Sequence, residues 1–225
     1  MITYYTAIGK LEIERRGNRK QPVIYKEKQA HDLSIKEFCV WSFLAWNFQT
    51  YDKLHQQYQK RCQELTMPDN QTFNEVLSRL AERGLIASGM GYTAADAMYE
   101  LISTLRIHPL QISLFGRIMA TGYLLFRHGI SFRTLIKNVR QYPANELQKN
   151  ILNLSGHIDL SSAELITCIE KGAVNIPSED QLIDTAYQGE FTYENLHNDT
   201  RFSSLKHPIM QAVVDLYLNK QIIFE

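Results

Sequence analysis

Hydrophobic positions between residues 32 and 87 recur with helical spacing in three successive segments. Ser34 and Glu37 form a Ser-x-x-Glu capping box ahead of the first apolar run. This spacing lets the hydroxyl and the carboxylate each bond a backbone N–H at the start of a helix. Thr50 can cap a second helix in the same way. The pattern therefore predicts a capped, well-buried first helix followed directly by a second one.

A third helix and a strand complete this first pattern. A capping box opening at Thr72 predicts the start of the helix, and Gly84 predicts its end. Residues 85–87 follow as a short apolar strand, and Gly89 and Gly91 predict a tight turn after it. Three helices, a strand and a glycine-rich turn are the elements of a winged helix-turn-helix. The sequence therefore predicts such a unit here.

Short strands are predicted before these helices. Residues 2–8 and 11–15 alternate between apolar and polar side chains, which is typical of half-buried strands. Gly9 and Lys10 are expected to turn between them, and Gly17 with Asn18 forms a second turn signal. A third strand is predicted over residues 23–25.

A degraded copy of the first pattern returns between residues 159 and 223. It has the same three landmarks in the same order: an Asp-Leu-Ser-x-x-Glu start, a Thr-aromatic-acidic-x-Leu-His middle and an apolar helix before a final strand. We expect helices near residues 161–171, 178–187, 192 onward and 208–219, and a strand over residues 222–224. The copy predicts that the two segments superpose as helix-turn-helix units.

The segment between the two copies is predicted to be helical. Helices are expected from Thr93 to about residue 107, over residues 111–127, from Ser131 to the residues before Pro143, and from Asn145 to Asn153. The helix at 111–127 is the most apolar in the chain and has more large side chains than one small neighbour would cover. We therefore expect it to mediate a homodimer.

These elements predict a mainly α fold with small β elements, an α+β class built from two winged-helix-like units joined by a helical middle segment. The expected domains are residues 1–92, with the N-terminal strands and the first winged helix, residues 93–156 as the helical linker or dimerisation segment, and residues 157–225 as the second, degenerate unit. A length of 225 residues is sufficient for two such cores.

Residues 20 to 90 resemble bacterial winged helices in general and also the PqqD-type module that recognises leader peptides. The resemblance rests on N-terminal strands, the apolar-Trp pair Val40-Trp41, a second helix that begins at a threonine and a third helix that ends in Gly84-Leu85-Ile86. The first likeness implies a transcriptional regulator that binds DNA with the third helix and the wing, and this is the function we expect, with the second likeness as the alternative. The second implies a peptide or protein ligand added as a strand along the sheet edge beside the third helix.

Charge narrows where DNA could bind. The formal net charge is zero, but residues 106–150 carry seven Lys or Arg against one acid, and residues 151–225 carry four against eleven. Phosphate contacts need a surplus of positive charge. A DNA surface is therefore expected on the first unit and the middle segment, not on the acidic second unit.

The residues expected to contact DNA lie on the third helix, the wing and the strand-turn-strand that contains Gly17. Asn and Gln can read adenine, and Arg can read guanine or contact phosphate. The alternative interpretation is that Arg79 and Arg83 pair with Glu75 and Glu82 and that the other arginines form a solvated hairpin tip. The candidates are Gln71, Asn74, Ser78, Arg79 and Arg83 on the helix, Ser88 and Tyr92 at the wing, and Arg15, Arg16 and Arg19 at the hairpin.

Other chemistry finds little support in the sequence. Three cysteines without a Cys-x-x-Cys pattern and seven scattered histidines predict no metal site or cofactor, and no nucleophile or phosphate-loop motif is present. We therefore expect a non-enzymatic, cytoplasmic protein with no catalytic residues. No apolar run is long enough to span a membrane. Trp41 and Trp46 are expected in the core, although either could stack on a base or a peptide.

Overall fold

The computed structural model describes residues 1–16, 19–66, 71–110, 145–173, 176, 178–187 and 192–225, with the side chains of Arg16, Arg19, Lys20 and Glu179 outside this description. The apolar helix predicted over residues 111–127, and with it the expected dimer contact, lies outside the described residues. So does the predicted helix that begins at Ser131.

Short strands and helices alternate along the described chain. The N-terminal half contains β1 (Ile2–Ala7), β2 (Lys10–Arg16), β3 (Arg19–Lys26), β4 (Gln29–Asp32), α1 (Ile35–Leu44), β5 (Gln49–Thr50), α2 (Tyr51–Glu64), α3 (Phe73–Glu82), β6 (Ile86–Gly91), α4 (Ala94–Ile102) and β7 (Arg106–Pro109). The C-terminal half contains α5 (Glu146–His157), β8 (Leu160–Ser161), α6 (Ser162–Glu170), α7 (Glu179–Ala186), α8 (Tyr193–Thr200), α9 (Lys206–Leu218) and β9 (Ile222–Phe224). The predicted class, mainly α with small β elements, is confirmed.

The helix starts follow the capping signals in the sequence. Ser34, Thr72 and Ser161 each form a complete capping box with the glutamate three residues later. Each box satisfies two backbone N–H groups that have no partner within the helix. Thr50 occupies the N-cap position of α2, but its side chain makes no capping bond.

The strands form three antiparallel sheets with the orders β5-β1-β6, β2-β3-β4 and β8-β7-β9. The chain changes direction at Gly9, between β1 and β2, as predicted, but the two strands belong to different sheets and do not form a hairpin. Gly9 instead makes a corner with a φ of +92°, and its N–H donates to the Phe224 carbonyl at 2.8 Å. A Cβ at this position would lie 2.6 Å from the Tyr25 carbonyl oxygen, so only glycine fits.

The tight turn expected at Gly89 and Gly91 is absent. Both glycines lie within β6, which pairs with β1 along its whole length, from Ile2 opposite Gly91 to Ala7 opposite Ile86. A Cβ on Gly89 would lie 2.3 Å from the Leu101 nitrogen, so the glycines let α4 pack directly on the sheet. Within the described residues, β1 occupies the place beside β6 where the second strand of a wing would be expected.

The helix predicted from Thr93 to residue 107 ends at Ile102, and Arg106–Pro109 forms β7 instead. The backbone groups of Arg106 pair with those of Glu225 at 2.8 and 2.9 Å. Ile107 is fully buried between β8 and β9. Pairing with strands from the other end of the chain therefore overrides the local helical pattern.

Two hydrophobic cores lie behind these sheets. The first contains Trp41, Leu44, Leu54, Leu80 and other residues that all fall between positions 5 and 86. The second contains the C-terminal helices together with α4, β7 and Ile8, and Tyr4, Trp46 and Phe48 pack against it. The described part of the middle segment thus contributes to the second core. The domain boundaries and the superposition of the two copies remain predictions.

Tyr217, on α9, joins the two cores. Its buried hydroxyl accepts hydrogen bonds from Thr6 Oγ1 at 2.8 Å and from the Trp46 N–H at 3.0 Å, and it lies 3.2 Å from the Leu44 carbonyl. Burial is the main cause that raises the pKa of Tyr217 to about 12. The hydroxyl therefore stays protonated at neutral pH and can donate to a first-unit carbonyl.

Candidate functional site

The third helix, α3, presents a mixed surface to solvent. Phe73, Val76, Leu77 and Leu80 are buried against the first core, and this leaves the side of the helix that carries most of the predicted DNA contacts facing outward. The capping box at the start of α3 orders its first turn. The outward face is therefore held rigidly, as a recognition surface requires.

Arg83 is a clamp between elements and does not lie free on that surface. Its Nη1 is 3.3 Å from Glu37 Oε1, and its Nη2 donates to the Asp32 carbonyl at 2.7 Å. The Glu37 side chain is only 10% exposed. Arg83 thus ties the end of α3 to α1 and β4. The alternative interpretation expected Arg83 to pair with Glu82, but the structure shows Arg83 paired with Glu37.

The remaining α3 candidates divide into bonded and exposed residues. Asn74 Oδ1 accepts from the Tyr51 hydroxyl at 2.6 Å, and the Gln71 carbonyl accepts from Lys36 Nζ at 3.0 Å. Ser78 and Arg79 are exposed, and Arg79 has no ion pair within the described part of the chain. These two side chains are the α3 candidates most available to a ligand.

The wing and hairpin candidates are not gathered around a wing. Ser88 is exposed within β6 opposite Tyr5, and Tyr92 follows the strand with 81% of its surface exposed. Arg15 is exposed on β2, whereas the side chains of Arg16 and Arg19 lie outside the described residues.

Strand β4 is an uncovered sheet edge next to the Arg83 clamp. Glu27 and Lys28, with φ values of 47° and 67°, form a two-residue turn that makes Lys26 and Gln29 a hydrogen-bonded pair. Because hydrogen-bonded and non-hydrogen-bonded pairs alternate, the N–H and C=O of Ala30 point away from β3. Ala30 is exposed, in agreement with an open edge.

The Arg83 bond to the Asp32 carbonyl fits this alternation, because Asp32 is two residues beyond Ala30 and faces the same way. His31 lies between them. Partial burial, followed by the nearby charges of Arg83 and Lys26, lowers the pKa of His31 below its usual value. Uncharged His31 therefore adds no positive charge to this edge at neutral pH.

One serine–histidine pair lies at hydrogen-bond distance in the second core. Ser103 Oγ is 3.0 Å from His197 Nε2, and the Ser103 carbonyl accepts from the Tyr193 hydroxyl at 3.0 Å. Ser103 is fully buried. This pair connects α8 to the end of α4, and its serine is not accessible from solvent, whereas His197 is partly exposed.

No group of metal-binding side chains occurs within the ranges that the structure describes. In the same ranges, no helix is long and apolar enough to cross a bilayer. Searches against protein-family models, curated proteins and solved structures found no match to this chain.

Sequence reasoning missed the features that distinguish this surface. The open edge of β4 is visible only once the Glu27-Lys28 turn and the pairing with β3 are known. The Arg83 partners Glu37 and Asp32 are far away in sequence. The sequence carries no signal for this turn, because neither Glu27 nor Lys28 is a glycine, asparagine or aspartate.

Proposed function

We propose that the chain is a non-enzymatic recognition protein that binds an extended peptide segment as an added strand on β4, beside α3. The supporting observation is the outward direction of the Ala30 N–H and C=O on an exposed edge. An extended peptide gains affinity by bonding such groups and specificity from side-chain contacts next to them. The Arg83 clamp holds α3 against β4, so both walls of the site are fixed.

Charge supports a peptide ligand over DNA. Arg83 is paired with Glu37, and α3 also carries Glu75 and Glu82. A DNA surface would need a continuous excess of positive charge, whereas a mixed surface beside an unpaired strand suits a peptide. We place this function in the cytoplasm, because all three cysteines are free thiols.

The proposal is tested by substituting one edge residue. Ala30→Pro removes the outward N–H without removing a bond to β3, and proline is tolerated at such edge positions. Ala30→Ser is the matched control, because it keeps the N–H. A phage-displayed library of random peptides is selected on the wild-type protein, and enriched peptides are then titrated against all three proteins.

We expect the enriched peptides to bind wild type and Ala30→Ser alike, and to bind Ala30→Pro at least about tenfold more weakly. They should also slow deuterium exchange at the Ala30 amide. Equal binding to Ala30→Pro, or a selection that enriches no peptide, contradicts strand addition at β4. Circular dichroism of Ala30→Pro checks that the fold is retained.

DNA binding is the second candidate, because Ser78 and Arg79 remain exposed on α3. Titration of the protein with duplex DNA fragments from its own operon, at two salt concentrations, tests DNA binding. If Arg79 reads guanine, Arg79→Ala should cost about 1–3 kcal/mol and relax specificity at one base pair. Arg16→Ala should lower the salt slope by about one unit. Absence of binding at low salt removes this candidate.

Light scattering on the same samples tests the expected homodimer.

A further inference from the structure

An open groove of about 520 Å³ lies where the two units meet, on the opposite side of the β2-β3-β4 sheet from the β4 edge. This volume is in the range of small-ligand sites. The groove is formed by β2, the end of α1, the segment leading into α2, α2 itself and Lys220, two residues beyond α9. The lining residues that matter here are Leu11, Trp41, Phe43, Trp46, Gln49, Gln57 and Lys220.

Two residues of this groove have a backbone conformation that usually requires glycine. Trp46 has a φ of 53° and Lys220 a φ of 58°, each just beyond the end of a helix. Gly84 and Gly172 occupy the equivalent positions after two other helices, although Thr66 also takes this conformation after α2. A left-handed backbone is strained for a residue as large as tryptophan. Strain of this kind is concentrated at functional sites.

The same two residues contact each other across the junction. Lys220 Nζ lies 5.6 Å from the centre of the Trp46 ring, and the backbone N–H of Trp46 donates to the Tyr217 hydroxyl. The strained positions therefore place an indole and an ammonium group side by side in the groove wall. Glycine at either position would relieve the strain but would remove one of these groups.

Three buried polar atoms in this wall have no hydrogen-bond partner among the described residues. These are Trp46 Nε1, a donor, and Gln49 Oε1 and Gln57 Oε1, both acceptors. Gln49 is 2% exposed, and its Nε2 donates to the Phe43 carbonyl at 2.9 Å, which fixes which end of the amide is unpaired. Buried polar atoms without partners are rare in proteins and call for an explanation.

Charge and shape restrict the ligand further. Among the residues that the structure describes, the lining contains the positive charge of Lys220 and no acidic side chain. Lys220 makes no ion pair within the described residues. Leu11 and Phe43 supply partly buried apolar surface. A complementary ligand therefore has an acceptor for Trp46 Nε1, a donor for Gln49 Oε1 or Gln57 Oε1, a negative charge and an apolar side chain.

We propose that this groove binds a small ligand that carries a secondary amide and a carboxylate, as an N-acylated amino acid does. The amide C=O accepts from Trp46 Nε1, and the amide N–H donates to Gln49 Oε1. The carboxylate lies beside Lys220, and an aliphatic side chain packs on Leu11 and Phe43. The end of a peptide has the same chemistry. This site is separate from the edge of β4 and does not depend on peptide binding there.

Nuclear magnetic resonance of the ¹⁵N-labelled full chain tests the proposal, because the chain has two tryptophans and hence two indole N–H signals. Trp41 also lines the groove, but its Nε1 already donates to the Ile8 carbonyl at 3.0 Å and so is not open to the ligand. N-acetyl-L-leucine is the probe. Two analogues are the controls: its methyl ester, which lacks the charge, and its N-methyl derivative, which lacks the amide N–H.

We expect the Trp46 indole signal to shift in a saturable manner with N-acetyl-L-leucine and to shift further than the Trp41 signal, because only the Trp46 indole N–H is unpaired. Lys220→Gln should weaken binding of the acid about tenfold and leave the ester unaffected. Lys220→Gly should weaken it equally without lowering stability, because glycine suits this backbone. Lys206→Gln is the matched control, because it removes a comparable lysine–ring contact at Tyr99.

The comparison of probes also identifies the source of the ligand. Tighter binding of a tetrapeptide ending in leucine than of N-acetyl-L-leucine indicates a peptide end, and equal binding indicates an acylated amino acid. A Trp46 signal that does not shift at millimolar acid overturns the proposal. So does a shift that is the same in Lys220→Gln or with the N-methyl analogue.

Discussion

The β5-β1-β6 and β8-β7-β9 sheets of this protein have matching strand orders, yet the cores behind them are built from different parts of the chain. In both β5-β1-β6 and β8-β7-β9, the central strand precedes its helices and one neighbour follows the last helix. The first core uses residues no later than position 86, whereas the second takes in Ile8 and packs against Tyr4, Trp46 and Phe48. Similar sheets thus lie over one core built from the N-terminal residues alone and one core built from both ends of the chain.

The largest effect is expected where α4 attaches the second core to the first sheet. Gly89→Ala would place a Cβ 2.3 Å from the Leu101 nitrogen and 2.5 Å from the Ala97 carbonyl oxygen. Backbone atoms cannot move aside as a side chain can, so we expect a loss of about 3 kcal/mol in the free energy of unfolding. Chemical denaturation measures this loss.

Gly172→Ala is the control for this change. Its Cβ would meet no atom within 4 Å, so only the cost of a φ of +69° remains, about 1 kcal/mol. If both substitutions cost the same, close packing of α4 on β6 is not what requires glycine at position 89.

A smaller effect is expected at the Tyr217 junction. Tyr217→Phe removes the hydroxyl that bonds Thr6 and the Trp46 N–H, and we expect a loss of about 2 kcal/mol. The second core should lose more stability than the first, because only the second core includes residues from the other end of the chain. Hydrogen exchange should therefore rise more in α9 than in α3, and an equal rise would contradict the asymmetry.

The pH dependence of the same variant sharpens this prediction. The pKa of Tyr217 is raised from 10.0 to about 12 in the folded protein, so the hydroxyl contributes its full stability below about pH 10. As pH rises from about 10 to 12, the unfolded state loses this proton first, and stability on the order of 3 kcal/mol is lost. The stability difference between wild type and Tyr217→Phe should shrink over that window.

The smallest effect separates two arginines within the first unit. Arg83→Ala breaks the contacts to Glu37 and Asp32, and because Arg83 is only 32% exposed we expect a loss of about 1 kcal/mol. Arg79→Ala, on the exposed face of the same helix, should change stability by less than about 0.5 kcal/mol. Thermal melts of the two variants make the comparison, and equal melting temperatures would show that the clamp contributes nothing.

Local signals predicted local structure well. The capping boxes at Ser34, Thr72 and Ser161 and the strand at residues 222–224 lie where the pattern places them. Each capping box depends on side chains only three residues apart, so the sequence contains the whole interaction. The strand was predicted from its apolar run, although its partner β7 is far away in sequence. This accounts for the correct fold class.

Long-range pairing was not predictable in the same way. β7 was expected to be helical, because nothing near Ile107 shows that β8 and β9 lie on either side of it. Gly89 was expected in a turn, because a glycine in a turn and a glycine under a helix look alike in sequence. The candidate site shares this difficulty, since the partners of Arg83 and the direction of Ala30 depend on which strands pair.

The order of pairing has a consequence for synthesis on the ribosome, where domains near the N-terminus fold first. β1 finds β6 by residue 91, so the first sheet can close while the rest of the chain is still being made. β7 emerges soon afterwards but pairs with β9 at residues 222–224. Its apolar face must therefore wait through the translation of more than a hundred further residues, and during that interval the nascent chain is most exposed to aggregation and most in need of a chaperone.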